Sequence, residues 1–512
     1  MAKLKLAIIA AALMVSAAPA GAQKAKDTLR VAFTDPISTI LDIEDPKPET
    51  RITTGAVFDW LVCYDRNSRT FAPSLAKSWT QIDDRTLELD LRDDVSFHDG
   101  SKLTADDVVY TLNWAVNPQN KLRYTAEDFS WLERTEKIDD YRVRVIAKQP
   151  TPLALVRLAV SAPILPAKLH SSYENKSDFG RKTPIGTGPY KVESFDSSAG
   201  IVLVRNKDYK LGSKCRAPGS IGRIQALPIP DVQTQVAQLA VGGIDLLHTA
   251  SKDTADLLAT SPQLAVTASQ GMSFIYISID SIGRSGNTAL SNLKVRQALV
   301  QAMNRELVAR SVLPGSDAVH AIDGLCLPNQ LGCDFSTKLL PYDLAAAKRL
   351  LTEAGYPDGF DVEITAFTGN HALAEALSGE FRKIGIRARV DKVTFAAYRQ
   401  KEVSGKIQIL AGSWSASGLP DVAATVDKYF DGGPRDYWHD PIIARLAKEG
   451  LTTIDEKKRE AIYRQLFDRV NEQAYVVPIA NRPDAFVHTK DLRIGLGVIN
   501  PYGAALTEMS WN

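Results

Sequence analysis

Between Arg85 and Trp114 the hydrophobic period of the chain changes once, from two to helical spacing. Thr86, Glu88 and Asp90 alternate with Leu87, Leu89 and Leu91, which predicts a strand with one face buried. Asp99-Gly100 predicts a turn. Thr104 with Asp107 three positions later predicts a helix start, and Val108, Leu112 and Ala115 recur behind it at helical spacing. The same reading predicts a strand near residues 29–34 and a helix over 231–241, capped by Asp231 and stopped by Gly242-Gly243. After Ser269 the pattern restarts: a buried strand over 272–280, a helix over 293–304, and a helix over 343–354 ended by Gly355 and Pro357. Alternation continues through a strand at 361–367, a helix at 371–383 and strands at 386–391 and 407–411. Residues 441–473 read as mainly helical and 475–480 as extended. The fold class is α/β, without an internal repeat or a low-complexity segment.

Composition changes this picture at one end. Lys3 and Lys5 precede an apolar run from Leu6 to Ala18, and Ala20-Gly-Ala22 follows as a small-x-small cleavage pattern. Residues 1–22 therefore read as a signal peptide, since the run is shorter than the roughly twenty residues a membrane span needs. No cysteine lies near the cut to carry a lipid, so a soluble periplasmic protein is expected. Cleavage leaves 490 residues, enough for two or more domains, with 59 basic against 60 acidic side chains. That balance gives no concentrated basic face for nucleic acid and no pull toward anionic membrane.

Four segments then carry a resemblance. LRDDVSFHDGSKLTADDVVYTLN (residues 91–113) is similar to the signature of the family 5 extracytoplasmic solute-binding proteins, the peptide, nickel and opine receptors of ABC importers. TPIGTGPYK (183–191) with VRNKDY (204–209) resembles the second landmark of that family, VRQAL (295–299) with MNRE (303–306) the third, and YD (342–343) with AKRLLTEAGYPDGF (347–360) the fourth. They occur in the family's order. The resemblance implies a two-lobed periplasmic binding protein fold whose lobes are joined by two strand crossings, near 270–275 and 477–482. Lobe I would take 23–270 and 483–512, with an inserted subdomain at about 51–182, and lobe II would take 271–482. It further implies a monomer that captures a peptide-like solute, an opine or a metal chelate between the lobes, needs no cofactor, and delivers its cargo to an ABC permease.

Ligand residues are expected on the same basis. IQILAGSWSASGLPD (407–421) reads as a strand ending near Ala411, then a loop carrying Trp414, Ser415 and Ser417, where a ring supplies apolar area and its neighbours hydrogen bonds. From the residues alone, a core tryptophan beside a flexible turn is the better account; the resemblance reverses this, because the corresponding loop lies over the cleft in relatives. Dipeptide receptors of the family carry an aspartate shortly after this tryptophan for the ligand's α-amino group, and here Ser417 stands there. Asp421 aligns with a later, structural Asp-Pro element. The family's arginine for a ligand carboxylate has no counterpart in the loop after Phe367, where Asn370 and His371 offer neutral hydrogen bonds. Thr34 ends the N-terminal strand, and residues 34–38 resemble a segment that ends at the cleft in relatives; ordinary strand-end polarity accounts for them equally well. Arg123, with Lys121, Tyr124 and Trp131, falls where nickel-chelate receptors place cationic and aromatic groups; solvated charge and a core tryptophan are the competing account.

Catalytic and metal patterns are missing. The chain has no H-E-x-x-H and no G-x-S-x-G, and Ser74-Leu-Ala-Lys77 lacks the S-D-N and K-T-G companions of penicillin-recognising enzymes. A secreted hydrolase is the alternative class that these absences disfavour. Gly186-Thr-Gly-Pro189 lacks the lysine of a phosphate-binding loop and reads as a tight turn. Among the four cysteines, Cys326 and Cys333 flank a turn-rich stretch and are expected to pair. Cys63 and Cys215 form a candidate second bridge, although four cysteines allow three pairings. No C-x-x-C supports a metal site.

Overall fold

The computed structural model describes residues 27–65, 68–122, 129–182, 184–211, 216–248, 251–269, 271–415, 419–430, 432–433, 435–495 and 505–512. The signal segment, Arg123, Tyr124, Cys215 and Ser417 lie outside them.

Two large sheets divide the chain. The first runs, in spatial order, Leu264–Ser269, Asp484–Thr489, Leu246–Leu247, Thr28–Phe33, Arg223–Pro228, Gly200–Arg205 and Tyr190–Asp196. The second runs Arg387–Val393, Asp361–Phe367, Ile409–Trp414, Phe274–Ile279 and Val476–Asn481. The chain leaves the first sheet at Ser269, enters the second at Phe274, leaves it at Asn481 and re-enters the first at Asp484. Two lobes joined by two short crossings result, each with helices packed on a mixed sheet. Arg482 N–H donates to Ser273 O at 2.7 Å, so the two crossings are hydrogen-bonded to each other.

A four-stranded antiparallel sheet, in the order Ala76–Asp83, Thr86–Leu91, Arg142–Ala147 and Leu132–Asp139, is inserted before the first sheet is complete. Its second strand buries Leu87, Leu89 and Leu91 and turns Thr86, Glu88 and Asp90 outward, as the period of two requires. The helix Ala105–Val116 follows, with the Asp107 carboxylate accepting Thr104 N–H at 2.9 Å. Trp131 is a buried core residue of this region. Ser74 is buried while Lys77 is exposed, which leaves the S-x-x-K pattern without a shared pocket.

The family-like segments converge as structure. Thr187 Oγ1 and Tyr209 OH, one from each part of the second landmark, donate to the fully buried Asp59 at 2.9 and 3.1 Å, and the Arg216 guanidinium lies 3.1 Å from the same carboxylate. Three donors make that buried charge tolerable. Gly188 packs so closely on the preceding helix that a Cβ there would sit 2.5 Å from the Val57 carbonyl carbon. In the third landmark Arg296 donates to the carbonyls of Leu290, Ser291 and Gln473, and Asn304 caps the helix Arg305–Val312.

Cys326 and Cys333 are bonded, with Cα atoms 6.1 Å apart. The loop they close and the residue after it reach across to the first lobe: Tyr64 OH donates to Asn329 O at 3.1 Å, and Arg69 pairs with Asp334 at 3.3 Å. Cys63 is disulfide-bonded, and no cysteine among the described residues is free. No helix among the described residues is long and apolar enough to cross a membrane.

Candidate functional site

Register places the strand ends. In the second sheet Asp361–Phe367 runs parallel to both Arg387–Val393 and Ile409–Trp414, so residues 367, 393 and 414 close the same edge. Phe274 pairs with Trp414 on one side and with Asn481 on the other, so both crossings meet the sheet at that edge. In the first sheet Thr28–Phe33, Arg223–Pro228 and Leu246–Leu247 are parallel, and Ser269 pairs with Asp484 at the edge where they end. Thr34 follows Phe33 there. The carboxyl edges of both sheets thus face the crossings, the position in which open α/β sheets hold ligands.

Trp414 lies on the strand rather than on the loop expected for it, a correction with a plain cause. Pairing with Phe274 of the crossing extends the strand three residues past Ala411. The indole is half-buried, donates from Nε1 to Thr425 Oγ1 at 3.1 Å, and meets Tyr429 edge-on at 5.3 Å. Tyr429 OH is 2.7 Å from Tyr276 OH, and the Tyr276 ring covers Gly412, where a Cβ would meet it at 2.9 Å. Trp414 is therefore held by its neighbours and is not a free flap. Ser415 follows half-buried.

A second aromatic group lies one strand over, and the hydrophobic pattern did not single it out. Phe367 meets Phe395 edge-on at 5.3 Å and Tyr398 at a tilt at 4.9 Å between ring centres, and Phe395 is 57% exposed. Tyr398 OH donates to the buried Glu402 at 2.5 Å, and Arg399 and Arg435 pair with the same carboxylate. Burial pushes the Tyr398 hydroxyl well above its ordinary pKa, so it stays a donor. The available signal was an aromatic at the first turn of a helix entered straight from a strand, with Thr394 as its cap.

Asn370 and His371 start the helix His371–Arg382 at this edge. Asn370 is 3% exposed and its Nδ2 has no hydrogen-bond partner, nor does the buried Nε2 of His371. Thr34 is exposed and accepts from Gln235 Nε2 at 3.3 Å. Asp421 is fully buried and pairs with Arg459 at 2.9 Å, a structural role. Arg482, at the end of the second crossing, donates from Nη1 to Ser413 Oγ at 2.9 Å beside Trp414. Among the described residues no group of three or more His, Cys, Asp or Glu is arranged to hold a bare metal ion.

The sequence profile described as bacterial extracellular solute-binding proteins, family 5, middle, matches residues 70–436, more than half of the chain. The chain belongs to this family. Family 5 members are binding proteins that serve ABC importers, not enzymes, which removes the hydrolase alternative. The chain is 27% identical over 459 residues to di/tripeptide-binding protein 1 of Pseudomonas aeruginosa, covering 83% of each. To a glutathione-binding protein of Pectobacterium atrosepticum it is 27% identical over 462 residues, covering 82% of this chain and 86% of that one. The fold matches an ABC transporter substrate-binding protein of Listeria monocytogenes with a TM-score of 0.83 at 20% identity, over 94% of this chain and 99% of that one.

Proposed function

We propose that the protein is an exported receptor that takes a peptide-like solute into the cleft between its lobes and hands the closed form to an ABC permease. In this reading residues 1–22 are removed on export to the periplasm. Residues 23–270 and 483–512 form lobe I with its insert at about 51–182, residues 271–482 form lobe II, and the protein works as a monomer. The observation that carries it is the shared placement of both carboxyl edges at the crossings: Thr34 stands on one, and Trp414, Ser415, Asn370 and His371 on the other. The names of the relatives, which include di/tripeptide and glutathione receptors, support the solute class.

Closure follows from differential contact. A micromolar solute contributes about 8 kcal/mol, and only the part gained by touching both lobes at once favours the closed form. Trp414 is braced by Thr425 and Tyr429, so a solute packs on it without ordering it first. Mass spectrometry of the small molecule that copurifies identifies the cargo. With that solute, Trp414→Ala is expected to weaken binding by about thirtyfold, the loss of one central aromatic anchor, while the variant stays folded. Unchanged affinity would remove Trp414 from the site.

A further inference from the structure

We infer that Arg482 is the cation that meets an anionic group of the solute, so that the cleft selects carboxylic acids. The inference rests on the receptor reading above and deepens it.

Arg482 stands in the second crossing, tied through its backbone to Ser273 of the first and through Nη1 to Ser413 Oγ. Its guanidinium has five N–H donors. Among the described residues no carboxylate pairs with it, and Ser413 is its only side-chain partner. Other enclosed arginines of this chain are arranged differently: Arg30 pairs with Asp245, Arg216 with Asp59, Arg435 with Glu402 and Arg459 with Asp421, while Arg296 is satisfied by three carbonyls. Arg482 is half-buried with the lobes as they stand. Closing a wall over it removes water from an uncompensated charge, which is costly, and an anion arriving with the solute cancels that cost. The acid would then stabilise the closed form more than the open one, the property a receptor needs.

Asn370 follows the strand Asp361–Phe367 at the same carboxyl edge, with two strands between it and the strand that leads to Arg482, and its buried Nδ2 has no partner. The fork that suits a planar carboxylate is the Arg482 guanidinium itself.

The test uses an equimolar mixture of dipeptides, tripeptides and N-carboxyalkyl amino acids, each beside its amide or methyl ester, dialysed against the mature protein and read by mass spectrometry. Wild type is expected to retain free acids over their neutral partners by about tenfold or more. Arg482→Gln should erase that ratio, and Arg482→Lys, which keeps the charge but not the fork, should retain part of it. Because the readout is a ratio within one protein, a general loosening of the crossing does not imitate the result. Neutral derivatives retained as well as acids, or an acid preference that survives in Arg482→Gln, would overturn the inference and leave the receptor reading standing. Retention of nothing by any of the three proteins would overturn both.

Discussion

His170 sits at the junction of Tyr110, Trp114 and Phe179, with no exposed surface. Its Nδ1 lies 2.7 Å from Tyr110 OH, and its Nε2 has no partner. Burial holds it neutral, with a pKa lowered to about 4, and neighbouring Lys176 adds to the effect. The unfolded chain takes up this proton near pH 6.5 and the folded one near pH 4, so stability is full above pH 6.5 and falls as the pH drops toward 4. One such group removes about 3 kcal/mol across that window. His98, fixed between Gly186 N–H and Gly188 O and also lowered to about 4 chiefly by burial, adds a contribution of the same sign. Denaturant unfolding at pH 7 and pH 5 should show the loss, and His170→Phe should make the profile shallower. Gly188 yields a second prediction at this scale. Gly188→Ala drives a methyl into the Val57 carbonyl and should cost about 1–3 kcal/mol, read as a lowered melting temperature with ligand affinity unchanged. An alanine variant as stable as wild type would contradict the close approach.

Elements were legible where local chemistry fixes them. The capping pair Thr104 and Asp107, the cap at Asp231 and the alternation of Leu87, Leu89 and Leu91 depend on neighbours within one turn or one strand, and each stands where the pattern puts it. Trp414 was misread as loop because its strand is extended by Phe274, a partner 140 positions away whose pairing leaves no mark on the local period. Phe395 and Arg482 escaped for the same reason, since their surroundings come from Phe367 and Ser413 on other strands. The landmark segments named the family correctly while carrying structural bonds: Thr187 and Tyr209 hold the buried Asp59, and Arg296 holds three backbone carbonyls, each within one lobe. The loop between Cys326 and Cys333 is an element with a testable role. Its seven-residue separation closes a short ring, so Cys333→Ser should cost about 2 kcal/mol. The same variant should loosen the Tyr64–Asn329 and Arg69–Asp334 contacts with the first lobe, read as faster amide exchange in the strand Val62–Asp65. Exchange that stays as slow as in wild type would show that the bridge does not order this contact.

At the scale of the molecule, two sheets share two crossings and present their carboxyl edges to them. Rotation about two short segments leaves each sheet intact and changes the contacts between the lobes. A near-balanced charge of 61 basic against 60 acidic residues in the whole chain gives no long-range pull on a solute, so selection falls to the groups lining the cleft. The decisive measurement is small-angle X-ray scattering on the mature protein, empty and then saturated with its copurifying solute recovered intact. Capture between lobes predicts a smaller radius of gyration on saturation and a solute of unchanged mass. Superimposable profiles with and without bound solute, or a solute returned in pieces, would contradict it.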